Sequence, residues 1–420
     1  MEQLRLRLAE QKDAEQLVVL EQEAADYRFE AELPPDGLPA ELHLTRIREK
    51  IGEPGITNGL YVIETAEQRL VASFSLGHAF ARNGFATLQF AIQQQDRERY
   101  GQAAVQLAAD YCFHEFNLIK LNMQVKGSEE TAAAFFYQAG FRRELCLREH
   151  YYRKGNYETV YQLGLLRGDG AGADRVGAET GGSANTGVTV GKFEQTLGKG
   201  GHAEQFVPTG QVGQNKEATV SRDEDHLLRS TMPPTKRLLI GEGVDLTPVT
   251  AADAEKLYEA NLTSDDKQYA VLSAAAPLER QGFIQRNGRL NDLATFKEPI
   301  SFGIKKKDGE IIGTIGANFI DNRNRNVMLG LGIAAPQERG KGYGREAIEL
   351  FVDFAFLEMN MHRVYLGCFA FNEKAARLYE RIGFRPEGVN RVFVYRNGNY
   401  YDELAFGVTK KEWLTQRGYL

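Results

Sequence analysis

Gly344, Gly383 and Tyr395 stand 243 positions after Gly101, Gly140 and Tyr152, and this gapless register runs for about fifty residues. A fixed period of that length marks a duplicated fold. The closing motifs agree: Tyr152-Arg153-Lys154-Gly155-Asn156-Tyr157 and Tyr395-Arg396-Asn397-Gly398-Asn399-Tyr400 each predict a tight hairpin turn at the same point of a copy. Asp253-Ala254-Glu255 echoes Asp13-Ala14-Glu15 near the start of each half. A chain of 420 residues is also too long for one ordinary core and fits two domains of about 150 to 200 residues.

Apolar spacing predicts the same kind of elements in both halves. Leu4 to Leu8 alternates as a strand does, and Asp13 to Ala25 has helical spacing through Ala14, Leu17, Val18 and Leu20. A basic helical run follows near Leu44 to Ile51. Leu60 to Ile63, Leu70 to Leu76 and Ala86 to Ile92 predict an antiparallel meander. After it come a helix over Gln102 to Phe116, a strand over Ile119 to Val125, a helix over Glu129 to Ala139 and two closing strands. The expected class is mixed α/β of the α+β kind, with a mostly antiparallel sheet flanked by helices in each copy. From about Arg167 to Gly241, Gly, Ser, Thr, Ala and Gln dominate, so too little apolar surface is available to offset ordering entropy. The expected division is a first domain over 1–166, a flexible linker over 167–236 and a second domain over 237–420.

Chemistry concentrates in the second copy. An alternating strand, Leu329 to Ile333, leads into Arg339-Gly340-Lys341-Gly342-Tyr343-Gly344 and then an apolar-periodic helix to Asn360. Glycines leave backbone N–H groups uncovered, and a helix start adds its own donors and the positive end of its dipole, so the expected guest is a phosphate or pyrophosphate. Arg339, Lys341 and Arg345 add local positive charge to a chain whose formal net charge is -6. That net charge argues against general nucleic-acid binding. Three widely spaced cysteines, Cys112, Cys146 and Cys368, suggest neither a disulfide framework nor a metal site. No apolar run approaches about 18 residues. The chain is therefore expected to be cytoplasmic, without a metal and without membrane or nucleic-acid partners.

The block from Ile333 to Gly344, followed by Asn372-Glu373-Lys374-Ala375-Ala376-Arg377-Leu378-Tyr379-Glu380-Arg381-Ile382-Gly383-Phe384, resembles the GNAT superfamily of acetyl-CoA-dependent N-acetyltransferases. The first block matches its R/Q-x-x-G-x-G/A loop and the second its N-x-x-A-x-x-L-Y-x-x-x-G-F helix. The hairpin at Tyr395 to Tyr401 and the Asp253 helix are similar to the ribosomal-protein and spermidine acetyltransferase branch. The resemblance implies two tandem GNAT-like domains and acetyl-CoA as co-substrate. The amides of Arg339, Gly340, Lys341, Gly342, Tyr343, Gly344 and Arg345 would hold the pyrophosphate. The main chain of Leu331, Ile333 and Ala334 would pair with the pantetheine arm, and Asn372 and Ala375 would touch the cofactor. Asn372 also stands where a helix cap is expected. In the family the tyrosine corresponding to Tyr379 protonates the leaving thiolate. A phenol with an ordinary pKa of about 10 keeps its proton at neutral pH and suits that role.

Asp402, Glu403, Asp321 and His362 lie near predicted strand ends, and none is singled out as general base, because water can relay the proton in this family. The acceptor pocket is expected from Asn261 to Phe296 and the final hairpin. Holding the separation of 243, Leu88 and Phe90 fall opposite Leu331 and Ile333, while Asp96, Arg97, Glu98 and Arg99 replace Arg339, Gly340, Lys341 and Gly342. Glu129 replaces Asn372 and Phe136 replaces Tyr379; a one-residue slip would offer Tyr137. The first copy is thus expected to keep the strand and loop frame without cofactor turnover. The favoured function is direct acetyl transfer to a primary amine: a small amine, an amino sugar, a polyamine or a peptide amino terminus. The competing class is a non-catalytic acyl-CoA-binding scaffold or sensor. As for assembly, the two copies would pair within the chain, or the chain would form a homodimer.

Overall fold

The computed structural model describes residues 3–24, 40–51, 59–153, 155–169, 238–263, 279–287 and 300–420. Most of the Gly-rich segment and of Asn261 to Phe296 lies outside the described residues. The described residues fall into two compact units. One lies within Met1–Arg153, Glu158–Ala184 and Asn390–Tyr400, the other within Lys154–Tyr157, Asn185–Val389 and Tyr401–Leu420.

The first unit contains β1 (Arg5–Leu8), α1 (Ala14–Ala24), α2 (Ala40–Lys50), β2 (Leu60–Glu64), β3 (Leu70–Phe80) and β4 (Phe85–Ile92). These are followed by α3 (Arg97–Glu115), β5 (Lys120–Lys126), α4 (Ala134–Gln138), β6 (Arg142–Arg153) and β7 (Asn156–Leu166). Its strands lie in the order β1-β2-β3-β4-β5-β7-β6. From β1 across to β7 neighbours are antiparallel except β4 and β5, which are parallel. The expected helix from Glu129 is mostly a tighter 3-10 stretch, Gly127–Ala133, before the short α4.

The second unit contains β8 (Val244–Thr247), α5 (Ala251–Thr263), α6 (Arg280–Asn287), β9 (Ile300–Lys306), β10 (Ile311–Asp321) and β11 (Asn326–Ile333). Then come α7 (Tyr343–Leu357), β12 (Arg363–Phe369), α8 (Glu373–Ile382), β13 (Arg385–Arg396), β14 (Asn399–Thr409) and α9 (Lys410–Gln416), with Asn390–Tyr400 of the closing hairpin grouped with the first unit. Its strand order, β13-β14-β12-β11-β10-β9-β8, follows the same pattern, again with one parallel pair, β11 and β12. The predicted turn between β13 and β14 is there: Asn397 and Gly398 both have positive φ, +47° and +81°, as a two-residue hairpin turn requires.

The echoed acid triplets are explained by helix capping. Asp253 accepts from the Thr250 N–H at 3.0 Å and returns its own N–H to Thr250 Oγ1 at 3.2 Å. Asp13 likewise takes the Glu10 N–H at 2.8 Å. Each acid satisfies an orphan donor at the start of a helix. Helix α7 presents Ala347, Ile348, Phe351, Val352, Ala355 and Phe356 to the sheet as one buried stripe, the spacing a core-facing helix needs. Opposite it the strands contribute Ile315, Val327, Leu329, Val364, Leu366, Leu404 and Phe406. That packing fixes where α7 begins, and the site is built at that end.

Candidate active site

Strands β11 and β12 pair only at Asn326–Arg363, Val327–Val364 and Met328–Tyr365, and then part. β12 continues alongside β14, and β11 alongside β10. A gap therefore opens between Leu329–Ile333 and Leu366–Phe369. Ala334 donates its N–H to Ile312 O at 2.9 Å. Main-chain groups alternate along a strand, so Gly332 and Ala334 face β10 while Leu331 and Ile333 turn theirs into the gap. Of the three residues expected to pair with a pantetheine arm, Leu331 and Ile333 turn their main chain toward the gap, although Ile333 O already accepts from Arg339 Nε, and Ala334 is corrected, because its N–H is spent on β10.

At the open end of the gap a 3-10 turn, Pro336–Glu338, leads into a loop whose Gly340 and Gly342 have φ of +78° and +95°. A Cβ at either would meet nothing within 4 Å, so this side is clear for a ligand. Gly342 is the N-cap residue of α7 and offers no side-chain cap. Among the described residues no backbone carbonyl accepts from the N–H groups of Gly340, Lys341, Gly342, Tyr343, Gly344 or Arg345. These six donors fall in one loop and the first turn after it, at the positive end of a 15-residue helix. Leu331 and Ile333 come within 3.6 and 3.9 Å of where a Cβ on Gly344 would lie, which joins the cradle to the gap.

The three expected cations take different roles. Arg339 Nε donates to Ile333 O at 3.0 Å and ties the loop to the strand. Lys341 pairs with Glu338 and Arg345 with Glu349, both at 3.0 Å. The two cations, though not their carboxylate partners, are more than half exposed, and solvent screening at such positions weakens an ion pair, so a bound anion can compete for both cations. Glu346 accepts from the N–H groups of Glu242 and Gly243 and braces the helix start from behind.

On the far side of the gap, α8 buries Ala376, Tyr379 and Ile382 and exposes its charged residues. Asn372 caps this helix: its Oδ1 accepts from Ala375 N–H at 3.3 Å. The Ala375 amide is thus used internally, and Ala375 can meet a cofactor only through its methyl. Tyr379 packs against Phe384 and Phe406. Burial pushes its phenol well above the ordinary tyrosine range, with the neighbouring Cys368 adding to the effect, so the proton stays on. The expected pair of motifs is brought to the two sides of one gap.

The four acids and bases near strand ends separate. Asp321 accepts from Asn324 N–H and Nδ2 at 2.9 and 2.7 Å and forms a turn. His362 is buried at the head of β12, and Asp402 O accepts from Ala370 N–H. Glu403 alone lies over the gap region, above Gly367. The glycine pair Gly330 and Gly367, on the two strands flanking the gap, was not singled out from sequence, because isolated glycines in strands have many uses.

In the first unit the corresponding stretch is closed. The 3-10 turn Gln94–Asp96 runs directly into α3, so Arg97 to Tyr100 are helical where the second unit has its loop. The expected retention of the loop frame is corrected accordingly. Phe74 pairs with Phe90 and Leu76 with Leu88, as Ile315 pairs with Leu331 and Ala317 with Leu329. The strands therefore correspond at 241 rather than 243, and Phe90, not Leu88, is the counterpart of Leu331. The two extra residues of the second unit are in its glycine loop. Phe90 meets Phe135 and Phe136 at ring distances of 6.2 and 5.7 Å, and a Cβ on Gly101 would lie 2.8 Å from Phe135. Phe136 is fully buried, and Tyr137 gives its hydroxyl proton to Glu130.

Residues 244–385 match the family model described as an acetyltransferase (GNAT) domain. The SPbeta prophage-derived uncharacterized N-acetyltransferase YokL of Bacillus subtilis (strain 168) is 33% identical over 29% of this chain and 68% of its own length. The uncharacterized N-acetyltransferase YoaA of the same strain is 29% identical over 39% of this chain and 92% of its own. A spermidine N(1)-acetyltransferase of Vibrio cholerae serotype O1 is 32% identical over 27% of this chain and 66% of its own. With the matched residues carrying the glycine loop, the parted strands and the Tyr379 helix, the chain belongs to the GNAT family of N-acetyltransferases.

Proposed function

We propose that the second unit transfers the acetyl group of acetyl-CoA directly to a primary amine, and that the first unit is a copy of the same fold without turnover. The observation that carries this reading is the run of six unpaired amides from Gly340 to Arg345, placed at the mouth of the β11–β12 gap. The residues fit the group: the glycine side is clear, the donors suit a diphosphate, and the turned-out main chain of Leu331 and Ile333 suits the amides of an extended arm. Acetyl-CoA supplies an activated thioester. The chain's own residues do the rest. The cradle fixes the diphosphate, β11 aligns the arm, and Asn372 keeps its amide nitrogen available for the same ligand.

As the carbon–nitrogen bond forms and the carbon–sulfur bond breaks, the Tyr379 hydroxyl gives its proton to the departing thiolate. The proton released by the amine passes to water and on to Tyr379. Burial keeps the phenol protonated at neutral pH, so its proton is in place when the thiolate forms, and the amine's proton arriving through water replaces it. The relative named as a spermidine acetyltransferase supports an alkylamine as acceptor.

The test is release of free thiol from acetyl-CoA by the full chain across a panel of amines. Amine-dependent release in the wild type, lost in Tyr379→Phe, is the expected result. Tight acetyl-CoA binding with no thiol release from any amine would instead favour a scaffold or sensor.

A further inference from the structure

Helices α4 and α8 end alike. In α8 the Phe384 N–H closes onto Tyr379 O at 3.0 Å, and in α4 the Phe141 N–H closes onto Phe136 O at the same distance. The residues just before, Leu378 in the second unit and Phe135 in the first, therefore hold the same place. Through the strand pairings already given, Leu331 and Phe90 also share a place. On both walls a leucine of the second copy is a phenylalanine in the first.

In the second unit the first turn of α7 has nothing of α8 beside it. A Cβ on Gly344 would meet Leu331 at 3.6 Å and Ile333 at 3.9 Å and, among the described residues, no other atom within 4 Å. Leu331 and Leu378 are both only partly buried. The slot that leads from the cradle along β11 is open between them.

In the first unit the same place is filled. Phe90 and Phe135 are 0% and 4% exposed, their ring centroids lie 6.2 Å apart, and Phe135 packs on Phe136 at 4.3 Å, distances at which aromatic rings are in contact. A Cβ on Gly101, the counterpart of Gly344, would lie 2.8 Å from Phe135 Cβ, so α4 rests directly on the first turn of α3. Beside the ring a groove of about 550 Å³ survives, lined among others by Arg97, Glu98, Glu129 and Gln138, with Phe135 in its wall. The crevice is stopped at the ring rather than lost whole.

We infer that Leu331 and Leu378 set the bore of the cofactor slot in the second unit, and that Phe90 and Phe135 close it in the first. The first copy is then shut twice. Its loop has no glycine cradle, and its slot has no room for an extended arm, so restoring the loop alone would not restore binding. Leu331 and Leu378 select by size and take no part in the chemistry. Their role rests on the reading of the second unit as an acetyl-CoA site.

The test titrates the full chain with two ligands: acetyl-CoA, which carries the arm, and ADP, which has a diphosphate without one. Leu378→Phe and, separately, Leu331→Phe are each expected to weaken acetyl-CoA binding by about tenfold or more, the scale of overfilling a packed site. ADP affinity stays within about threefold of wild type in both, and Leu378→Met, which conserves volume, keeps both affinities within the same range. Cooperative unfolding followed at the buried Trp413 checks that each variant is folded. Leu378→Phe decides alone where Leu331→Phe does not fold. Phe135→Leu gives an independent reading in the first unit: hydrogen exchange of the Gly101 amide is expected to speed up by about tenfold or more once the ring is gone. Folded leucine-to-phenylalanine variants that bind acetyl-CoA like wild type, an equal loss of both ligands, or an unchanged Gly101 exchange rate overturns this inference alone. A wild type that binds no acetyl-CoA overturns the acetyltransferase reading and this inference with it.

Discussion

Tyr379 packs edge-on against Phe406, with ring centroids 5.5 Å apart and 73° between the planes. The contact fixes the ring, so removing the hydroxyl leaves the packing in place and takes away only the proton. Tyr379→Phe is expected to lower kcat by about 10²-fold or more, the range for loss of a general acid. The acetyl-CoA dissociation constant should stay within about twofold. Steady-state kinetics and calorimetry separate the two quantities, and an unchanged kcat would remove Tyr379 from the mechanism.

Arg363 and Glu387 form a fully buried ion pair on β12 and β13, and Lys120 and Glu144 form its counterpart 243 positions earlier at 2.6 Å. A Cβ on Gly407 would run into both Arg363 and Glu387, so the glycine is part of that arrangement. Glu387→Ala leaves a buried guanidinium without its carboxylate and is expected to cost about 3–5 kcal/mol. Arg363→Met combined with Glu387→Leu should cost much less. Urea unfolding read from Trp413, the only tryptophan and fully buried in the second unit, checks both.

Asp253 has a defined pH signature. Burial alone would raise its pKa, but hydrogen bonds from Lys305 and Thr250 outweigh that and hold the carboxyl below the usual range. A folded-state pKa below the unfolded value of about 3.9 means that the folded state favours the ionised form. Its contribution is present above about pH 4 and is lost as pH falls through the folded value. Asp253→Asn is expected to cost about 1–2 kcal/mol at pH 7, the scale of a lost cap with its ion pair. The difference from wild type should shrink steadily below pH 4, followed by the same Trp413 signal.

The duplicated plan was legible in the chain because its punctuation has single causes. Gly140 and Gly383 end their helices at φ of +101° and +114°, a conformation that favours glycine, and the hairpin motifs need positive φ as well. The cradle was legible for the same reason at Gly340 and Gly342. The first copy differs both in state and in spacing. Arg97 to Tyr100 continue a helix once no glycine interrupts them, and the strand register slides by two. The Ala334 amide could not be assigned from sequence, since the strand it serves is set by pairing with β10. Gly330 and Gly367 are 37 residues apart in the chain at nearly the same height in the sheet, and only the β11–β12 register reveals them as a pair.

The central claim is that one cradle per chain, the one at Gly340–Arg345, holds the diphosphate of acetyl-CoA. Calorimetric titration of the full chain tests it most directly, with the wild type beside a variant in which Gly340 and Gly342 are both valine. At positive φ those side chains are strained by about 1–2 kcal/mol each and would crowd the amides. The account predicts one molecule bound per wild-type chain and no measurable binding in the double variant. Two molecules per chain, or undiminished binding by the variant, would contradict it.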